Sequence, residues 1–428
     1  MDELEVKFFH INKDDTIRKL EQIRAQKIFS GRVTSRFMDR DKYDLRKSSR
    51  TLRLRRNDNR GLREDDVENT LTFKKDRGGK GAKDCSELEI KVDSLDNCAA
   101  LLGKIGFGLY DEDIKDRISY EKIFDPANDP VRFELDTPIL PFNDLGTYLE
   151  LEIKNSGGGD YLKQAAEALG LQWSLGRAIS YIKYVEEEKG VKPPYRYLAS
   201  DSCVQPYSGD ARELRRARFE LPNKVDQLPV EFNELLQEMQ SSKEIVRGYN
   251  VHILDYPGLK LANSNRMLMI FEELQIDFDF LSARKKKPIT YPVLIKCVHE
   301  VESPERGIFI SDDISVGVYP SENKDIKINE LVHGIMKGLD LQLTRSLNVF
   351  QILYKLGDTL FTLERVVNER QGLDFSTMNS SSYLQVDVPL SKDIHSELSR
   401  FSSFSLVPHS YLQITGLRRT SGNVPLIF

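Results

Sequence analysis

The chain opens on a two-residue alternation of charged and apolar positions. Glu3, Glu5 and Lys7 alternate with Leu4, Val6 and Phe8, and residues two apart in a strand share a face. One face of this segment carries two carboxylates and an ammonium, and the other is apolar. The pattern returns at Glu87, Glu89, Lys91 and at Glu150, Glu152, Lys154, both spelled ELEIK. Average Glu and Lys usage predicts fewer than one such match in a chain of this length. A charged face cannot pack on an apolar core, so it must meet water or a ligand.

The same period continues between these segments. Strands are predicted over 3–11, 27–38, 51–56, 70–75, 87–91, 107–123, 131–136 and 147–154. Arg53 and Arg55 share a face, as do Thr70, Thr72 and Lys74, then Lys115 and Arg117, then Arg132, Glu134 and Asp136. Helical spacing marks 13–25 through Ile17, Leu20 and Ile23, and 94–105 behind a Ser94 cap. Helix 160–169 and the segment SYIKYVEEE close the unit.

An ordinary antiparallel sheet needs only mixed polar residues on its wet face. Here that face is almost wholly acidic and basic, so a solvated face with weak cross-strand ion pairs is the lesser reading. Closing the sheet into a barrel gathers the charges in one lumen, with the apolar face outward under the helices. Such a barrel is costly unless something inside balances the charge. A polyphosphate with a divalent metal does so, carboxylates holding Mg²⁺ or Mn²⁺ and Lys and Arg holding phosphate oxygens.

Beyond residue 188 the pattern changes. KGVKPPYRY, with Pro193 and Pro194, predicts a linker over 189–200. Residues 201–428 read as an α+β domain, for which a regulatory role is one reading. Helices are expected near 209–219, 229–241, 263–274, 326–340, 346–355 and 358–370. Strands are expected near 246–254, 290–301, 307–319, 382–388 and 410–418. This half offers no nucleotide loop, metal cluster or nucleophile set. The fold class is α+β: an N-terminal eight-stranded antiparallel β-barrel with flanking helices over 1–188, then the C-terminal α+β domain.

Composition narrows the classes. The 428 residues carry a net charge of -5, which gives no reason to expect nucleic acid or a membrane surface as partner. The four cysteines form no CxxC pair; this argues against zinc and disulfides and fits a reducing, cytoplasmic setting. No run is long enough to span a membrane. Gly78, Gly79 and Gly81 mark a turn rather than a phosphate loop. The six histidines lack metal-ligand spacing, and the basic run at 282–288 reads as a solvated loop.

Taken in order, the segments resemble the CYTH superfamily, the triphosphate tunnel metalloenzymes, which include class IV adenylyl cyclases and thiamine triphosphatases. Glu3-Leu-Glu5-Val-Lys7 is similar to its first-strand E-x-E-x-K. TLRLRR at 51–56, LTFK at 71–74 and KDRISY at 115–120 resemble its L-R-I-R, L-T-x-K and K-x-R-x-x-Y strands. LD at 135–136 followed by LGTYLELE at 145–152 resembles the ending of the cyclase-like branch. The resemblance covers about 1–187. It implies Glu3, Glu5, Glu150 and Glu152 as metal ligands, with Asp136 completing or supporting them. It implies Lys7, Arg53, Arg55, Lys74, Lys115 and Arg117 as triphosphate ligands, and Lys7, Glu87 and Glu89 in catalysis, the two carboxylates either holding a second metal or orienting the attacking group. Arg132, Glu134, Lys91 and Lys154 share the lumen face with weaker claims.

The function expected is metal-dependent chemistry on a nucleoside triphosphate or another organic or inorganic triphosphate. Nucleotidyl transfer or cyclisation leads, in which a 3′-hydroxyl attacks the α-phosphorus and pyrophosphate leaves. The alternatives are hydrolysis at the γ-phosphate of a nucleotide, thiamine triphosphate or inorganic triphosphate, and a non-catalytic sensor.

Overall fold

The computed structural model describes residues 2–394 apart from 41–42, 60–66, 79–81, 127–128, 141–142, 155–157, 191–211, 222–244, 258–259, 265, 274–292, 303–307, 320–326, 357–358, 369–380, 390 and 392–393. Contacts divide the chain into two units, Met1–Tyr207 with Pro320–Ile335, and Ser208–Tyr319 with Met336–Phe428.

The first unit holds β1 (Asp2–Phe8), β2 (Gln26–Asp39), β3 (Arg50–Asn59), β4 (Val67–Gly78), β5 (Lys83–Val92), β6 (Gly108–Lys122), β7 (Val131–Leu140) and β8 (Tyr148–Ile153). Around the barrel the order is β1-β8-β7-β6-β2-β3-β4-β5, and β5 returns to pair with β1, every neighbour antiparallel. Residues directly opposite in register share a face. Glu5 lies across from Glu152 and Lys7 from Glu150, Arg132 from Glu152 and Glu134 from Glu150, Lys74 from Glu87. The charged faces therefore run continuously round the inside.

The apolar faces point outward and are covered by helices α1 (Lys13–Gln22), α3 (Leu95–Lys104) and α4 (Gly159–Ala168), while α2 (Asp44–Lys47) follows β2. Val6, Phe8, Phe133, Leu135, Leu149 and Leu151 form one buried cluster with Leu20 of α1 and Leu162, Ala165 and Ala166 of α4. Each fully buried leucine here contributes about 2 kcal/mol, so the stabilising core lies outside the barrel wall. Asn12 accepts from Asp15 N to start α1, and Ser94 from Asn97 N to start α3. At Gly31 a Cβ would lie 1.9 Å from Asp58 O, so only glycine lets β2 run this close to β3. Helix α5 (Tyr181–Lys189) ends at Gly190 with φ of 63°.

The second unit holds β9 (Arg212–Leu221), β10 (Ile245–Asp255), β11 (Arg266–Glu273), β12 (Val293–Glu302), β13 (Ile308–Tyr319), β14 (Gln342–Leu356), β15 (Thr359–Asn368) and β16 (Ser381–Pro389). Their order is β13-β12-β11-β10-β14-β15-β16-β9, with β9 closing on β13. A short helix α6 (Lys260–Asn263) follows β10, and α7 (Ile328–Gly338) lies between β13 and β14 in sequence.

The α+β class holds, but four expected helices are strands. Segments 209–219, 263–274, 346–355 and 358–370 fall on β9, β11, β14 and β15. The run RMLMIFEE is apolar on both faces of the strand, and such a run has no period that separates strand from helix. In β14 and β15 the alternation exists, but long side chains blurred it and barrel pairing decided it. The strands expected near 246–254, 290–301, 307–319 and 382–388 and the helix near 326–340 match β10, β12, β13, β16 and α7. Segments 229–241 and 410–418, most of the linker and the basic run at 282–288 lie outside the described residues.

Candidate active site in the N-terminal barrel

The three repeated Glu-x-Glu-x-Lys strands β1, β5 and β8 are neighbours, and their charges interlock. Lys74 Nζ donates to Glu3 Oε1 at 2.7 Å and approaches Glu87 Oε1 at 3.0 Å. Lys154 reaches Glu3 Oε2 at 2.5 Å, and it also bonds Glu87. Lys7 Nζ sits 2.7 Å from Glu150 and 3.1 Å from Glu5, and Lys83 lies 2.9 Å from Glu5. Burial would raise the Glu3 carboxyl, but Lys74 and Lys154 hold it well below the ordinary range. Burial opposes Glu150 too, yet Lys7 brings it down to about 2.

Two carboxyls go the other way. Burial and the neighbouring Glu3 raise Glu87 despite Lys74 and Lys154. Burial lifts Glu152 to about 7 against the pull of Lys154, with Glu3 and Glu134 adding to the rise. This side of the lumen thus holds more carboxylate than its ammoniums neutralise.

The opposite wall is cationic. Among the described residues, the Nε atoms of Arg53 and Arg55 on β3 are buried without a hydrogen-bond partner. Arg55 is pushed down by burial and then by Arg53 and Arg117, and Lys115 by burial and then by Arg117. On β6 and β7, Arg117 forks onto Asp136 with two 2.7 Å bonds and also pairs with Glu134. Lys115 reaches Asp136 Oδ2 at 2.7 Å and donates to Tyr148 Oη at 3.0 Å. Glu89 accepts from Thr72 at 2.8 Å.

A cavity of about 480 Å³ runs between these walls, within the range of small-molecule sites. Glu5, Lys7, Arg53, Arg55, Lys74, Glu87, Glu89, Lys115, Glu150 and Glu152 line it. Glu3, Arg117 and Asp136 stand behind that lining, buried in the wall. Arg132, Glu134 and Lys154 reach the cavity, whereas Lys91 pairs with Glu68 at 2.8 Å. Sequence reading passed over Lys83, Asp113 and Tyr148, and α5, whose Tyr181, Lys183 and Glu186 line the cavity. Lys83 has the strand parity of Glu87 and was legible; the docking of α5 leaves no local signal.

The donor set fits a hard divalent cation. Carboxylate oxygens are the ligands Mg²⁺ and Mn²⁺ take, and one oxygen each from Glu134, Asp136 and Glu150 lies within 4.8 Å of the others. The raised Glu87 and Glu152 mark where further positive charge would be stabilising. Asp136 already has Arg117 and Lys115 as partners, so its firmer role is to fix those cations.

Fold and site together define a charged-lumen antiparallel barrel. Residues 1–177 match the model of the CYTH domain family, and this part of the chain is a CYTH domain. Among solved structures, PH1012 protein from Pyrococcus horikoshii OT3 is 26% identical, with 42% of this chain and 98% of that chain covered and a TM-score of 0.34. A Vibrio parahaemolyticus protein described as a candidate adenylate cyclase is 17% identical over 43% of this chain and 97% of its own, with a TM-score of 0.35. HpAC1 from Hippeastrum, described as an adenylyl cyclase candidate with a dominant triphosphatase activity, is 15% identical over 45% and 98%, with a TM-score of 0.34. No curated protein matches the chain. Among the described residues no helix is long and apolar enough to cross a membrane.

Proposed function

We propose that the N-terminal barrel is a divalent-metal-dependent triphosphatase, acting on a nucleoside triphosphate or another organic or inorganic triphosphate. The observation that carries this reading is the pair of buried Nε donors of Arg53 and Arg55 beside the cavity, which have no hydrogen-bond partner among the described residues. Leaving a buried donor unmet costs about 1–3 kcal/mol, and like-charge crowding with Arg117 adds to it. A triphosphate satisfies the donors and relieves the crowding together. Lys7, Lys74 and Lys115 take the remaining phosphate oxygens, with Arg117 supporting them from the wall.

Glu5, Glu150 and Glu152, backed by Glu3, would hold the Mg²⁺ or Mn²⁺. The bound ion would supply charge neutralisation at the phosphate oxygens. Asp136 positions Arg117 and Lys115. Glu87, held above the usual carboxylate range by burial and by Glu3, accepts the proton of the attacking water, with Glu89 beside it orienting that water. The water oxygen bonds to the γ-phosphorus, the bond from phosphorus to the β–γ bridging oxygen breaks, and phosphate leaves.

Cavity size favours a second reading, transfer or cyclisation. A volume of about 480 Å³ exceeds what three phosphoryl groups fill, so a sugar and base also fit. A 3′-hydroxyl held in line would then attack the α-phosphorus and release pyrophosphate. The same lumen with no turnover is the sensor.

The deciding experiment incubates the full chain with each nucleoside triphosphate, thiamine triphosphate and inorganic triphosphate, plus Mg²⁺ or Mn²⁺, and resolves products by mass. Phosphate with a diphosphate is the expected result. Pyrophosphate with a nucleotide product supports transfer, and tight binding without products supports the sensor.

A further inference from the structure

Both units close their eight strands in one order. The first strand of each neighbours the eighth and the fifth, and the second lies between the third and the sixth. A short helix follows the second strand in each, and a longer one follows the fifth in sequence. The likeness extends to hydrogen bonds. The Asp39 carboxylate at the end of β2 accepts from the backbone N–H of Arg40, Leu45 and Arg46. Asp255 at the end of β10 accepts from Tyr256, Leu261 and Ala262, at the same spacing. Ser48 Oγ donates to Leu45 O and Ser264 Oγ to Leu261 O, each at 2.9 Å.

These matched residues allow the register to be carried from one barrel to the other. Counting on from the two serines puts Met269 at the position of Arg53 and Phe271 at that of Arg55. Across the next pairing Val298 falls where Lys74 stands, and one strand further Asp313 falls where Glu87 stands. The closing pair then puts Arg216 at the position of Glu5. Round the other side, the pairings carry Asp387 to the position of Glu152, and Arg216 lies across from Asp387 as Glu5 lies across from Glu152.

The inner faces share some contents and differ in others. Met269, Phe271 and Val298 belong to a buried apolar cluster with Val251 and Val349, where the first barrel has phosphate-facing cations. Arg216, 2% exposed, lies 2.6 Å from Asp387 Oδ1, 2.7 Å from Asp313 Oδ2 and 3.0 Å from Glu300 Oε1. A guanidinium fixed in the chain thus sits on the carboxylates that match Glu87 and Glu152. With Lys296, 2.8 Å from Asp313 Oδ2, it supplies the positive charge that the first barrel leaves to a bound ion, and its planar fork satisfies several carboxylate oxygens at once.

We propose that the strands between residues 212 and 389 are a duplicate of the N-terminal barrel, in which Arg216 replaces the metal and apolar side chains replace the phosphate-binding Arg53, Arg55 and Lys74, so that the chain binds one triphosphate rather than two. The count of one rests on the function proposed for the first barrel. The duplicate is a filled support, because fold alone does not carry activity.

The test titrates inorganic triphosphate with Mg²⁺ into the full chain by calorimetry, and counts bound Mn²⁺ in wild type and Arg216→Met by equilibrium dialysis. One triphosphate per chain, lost in the Arg53→Ala/Arg55→Ala variant, is expected, as is one additional Mn²⁺ in Arg216→Met. Two triphosphates per chain overturn the proposal, as does binding that survives Arg53→Ala/Arg55→Ala and disappears on adding Arg216→Met. A wild type that binds none overturns the reading of the first barrel, and the Mn²⁺ count then decides the second by itself: an unchanged count overturns it. Should Arg216→Met not fold, the triphosphate stoichiometry remains decisive.

Discussion

Lys7 Nζ donates to Glu150 Oε1 at 2.7 Å across the β1–β8 pair, with both side chains buried. The bond joins two of the three repeated charged segments, and it puts an ammonium between Glu5 and Glu150.

Replacing that ammonium should cost stability. Lys7→Met leaves Glu5 with Lys83 and strips Glu150 of its cation, and an uncompensated buried charge costs about 3 kcal/mol. Glu150 has a folded value lowered to about 2, so its contribution is full above the ordinary carboxylate range near pH 4. It fades as pH falls toward 2. Denaturant melts of the full chain at pH 7 and pH 3 check both points: the variant's deficit should shrink at the lower pH, and Lys7→Met/Glu150→Gln should regain part of it.

Turnover should rise with pH through neutrality. Glu152 is raised to about 7, and its proton competes with a bound ion. A single deprotonation with that midpoint raises the competent fraction about fivefold between pH 6 and pH 7. For stability the sign is opposite: the folded state holds the proton more tightly, so stability falls as pH rises from the ordinary carboxylate range to about 7. Glu152→Gln should flatten the stability trend, and its pH–rate profile should lose the rise near 7.

Arg53→Ala/Arg55→Ala should raise KM for the triphosphate about 100-fold, since each charge-assisted hydrogen bond contributes about 1.5–3 kcal/mol. The melting temperature should change little, because losing Arg55 relieves its crowding with Arg53 and Arg117, whereas losing Arg53 takes a cation from Glu87, Glu89 and Glu3. Steady-state kinetics and a thermal melt together test this, and an unaltered KM would move the phosphates elsewhere.

Glu3→Gln should lower metal-dependent turnover about 100-fold while circular dichroism stays native. Lys74 and Lys154 keep Glu87 as a partner in that variant. Chelation should stop turnover in the wild type, and added Mg²⁺ should restore it and raise the melting temperature.

The barrel could be read from the chain because its determinants are local. Alternation at Glu3, Glu5 and Lys7 fixes which side chains share a face, whatever lies around them. Where that signal was absent, reading went astray. RMLMIFEE in β11 is apolar on both faces because one face packs inside the second barrel and the other outside it, and a continuous apolar run does not reveal its partners. The roles within the lumen were likewise beyond local reach: Asp136 sits with the other acids by parity, but the fork from Arg117 on the adjoining strand ties it into the wall.

Period-two charge by itself thus determined that the N-terminal strands form a barrel and that its lumen is ionic, because side-chain direction in a strand follows from backbone geometry. The tertiary structure alone decided which acids face the cavity, that α5 lines it, and that Arg216 meets Asp313, Glu300 and Asp387. Those groups are distant in sequence, and only the closing of strand on strand brings their charges within bonding distance.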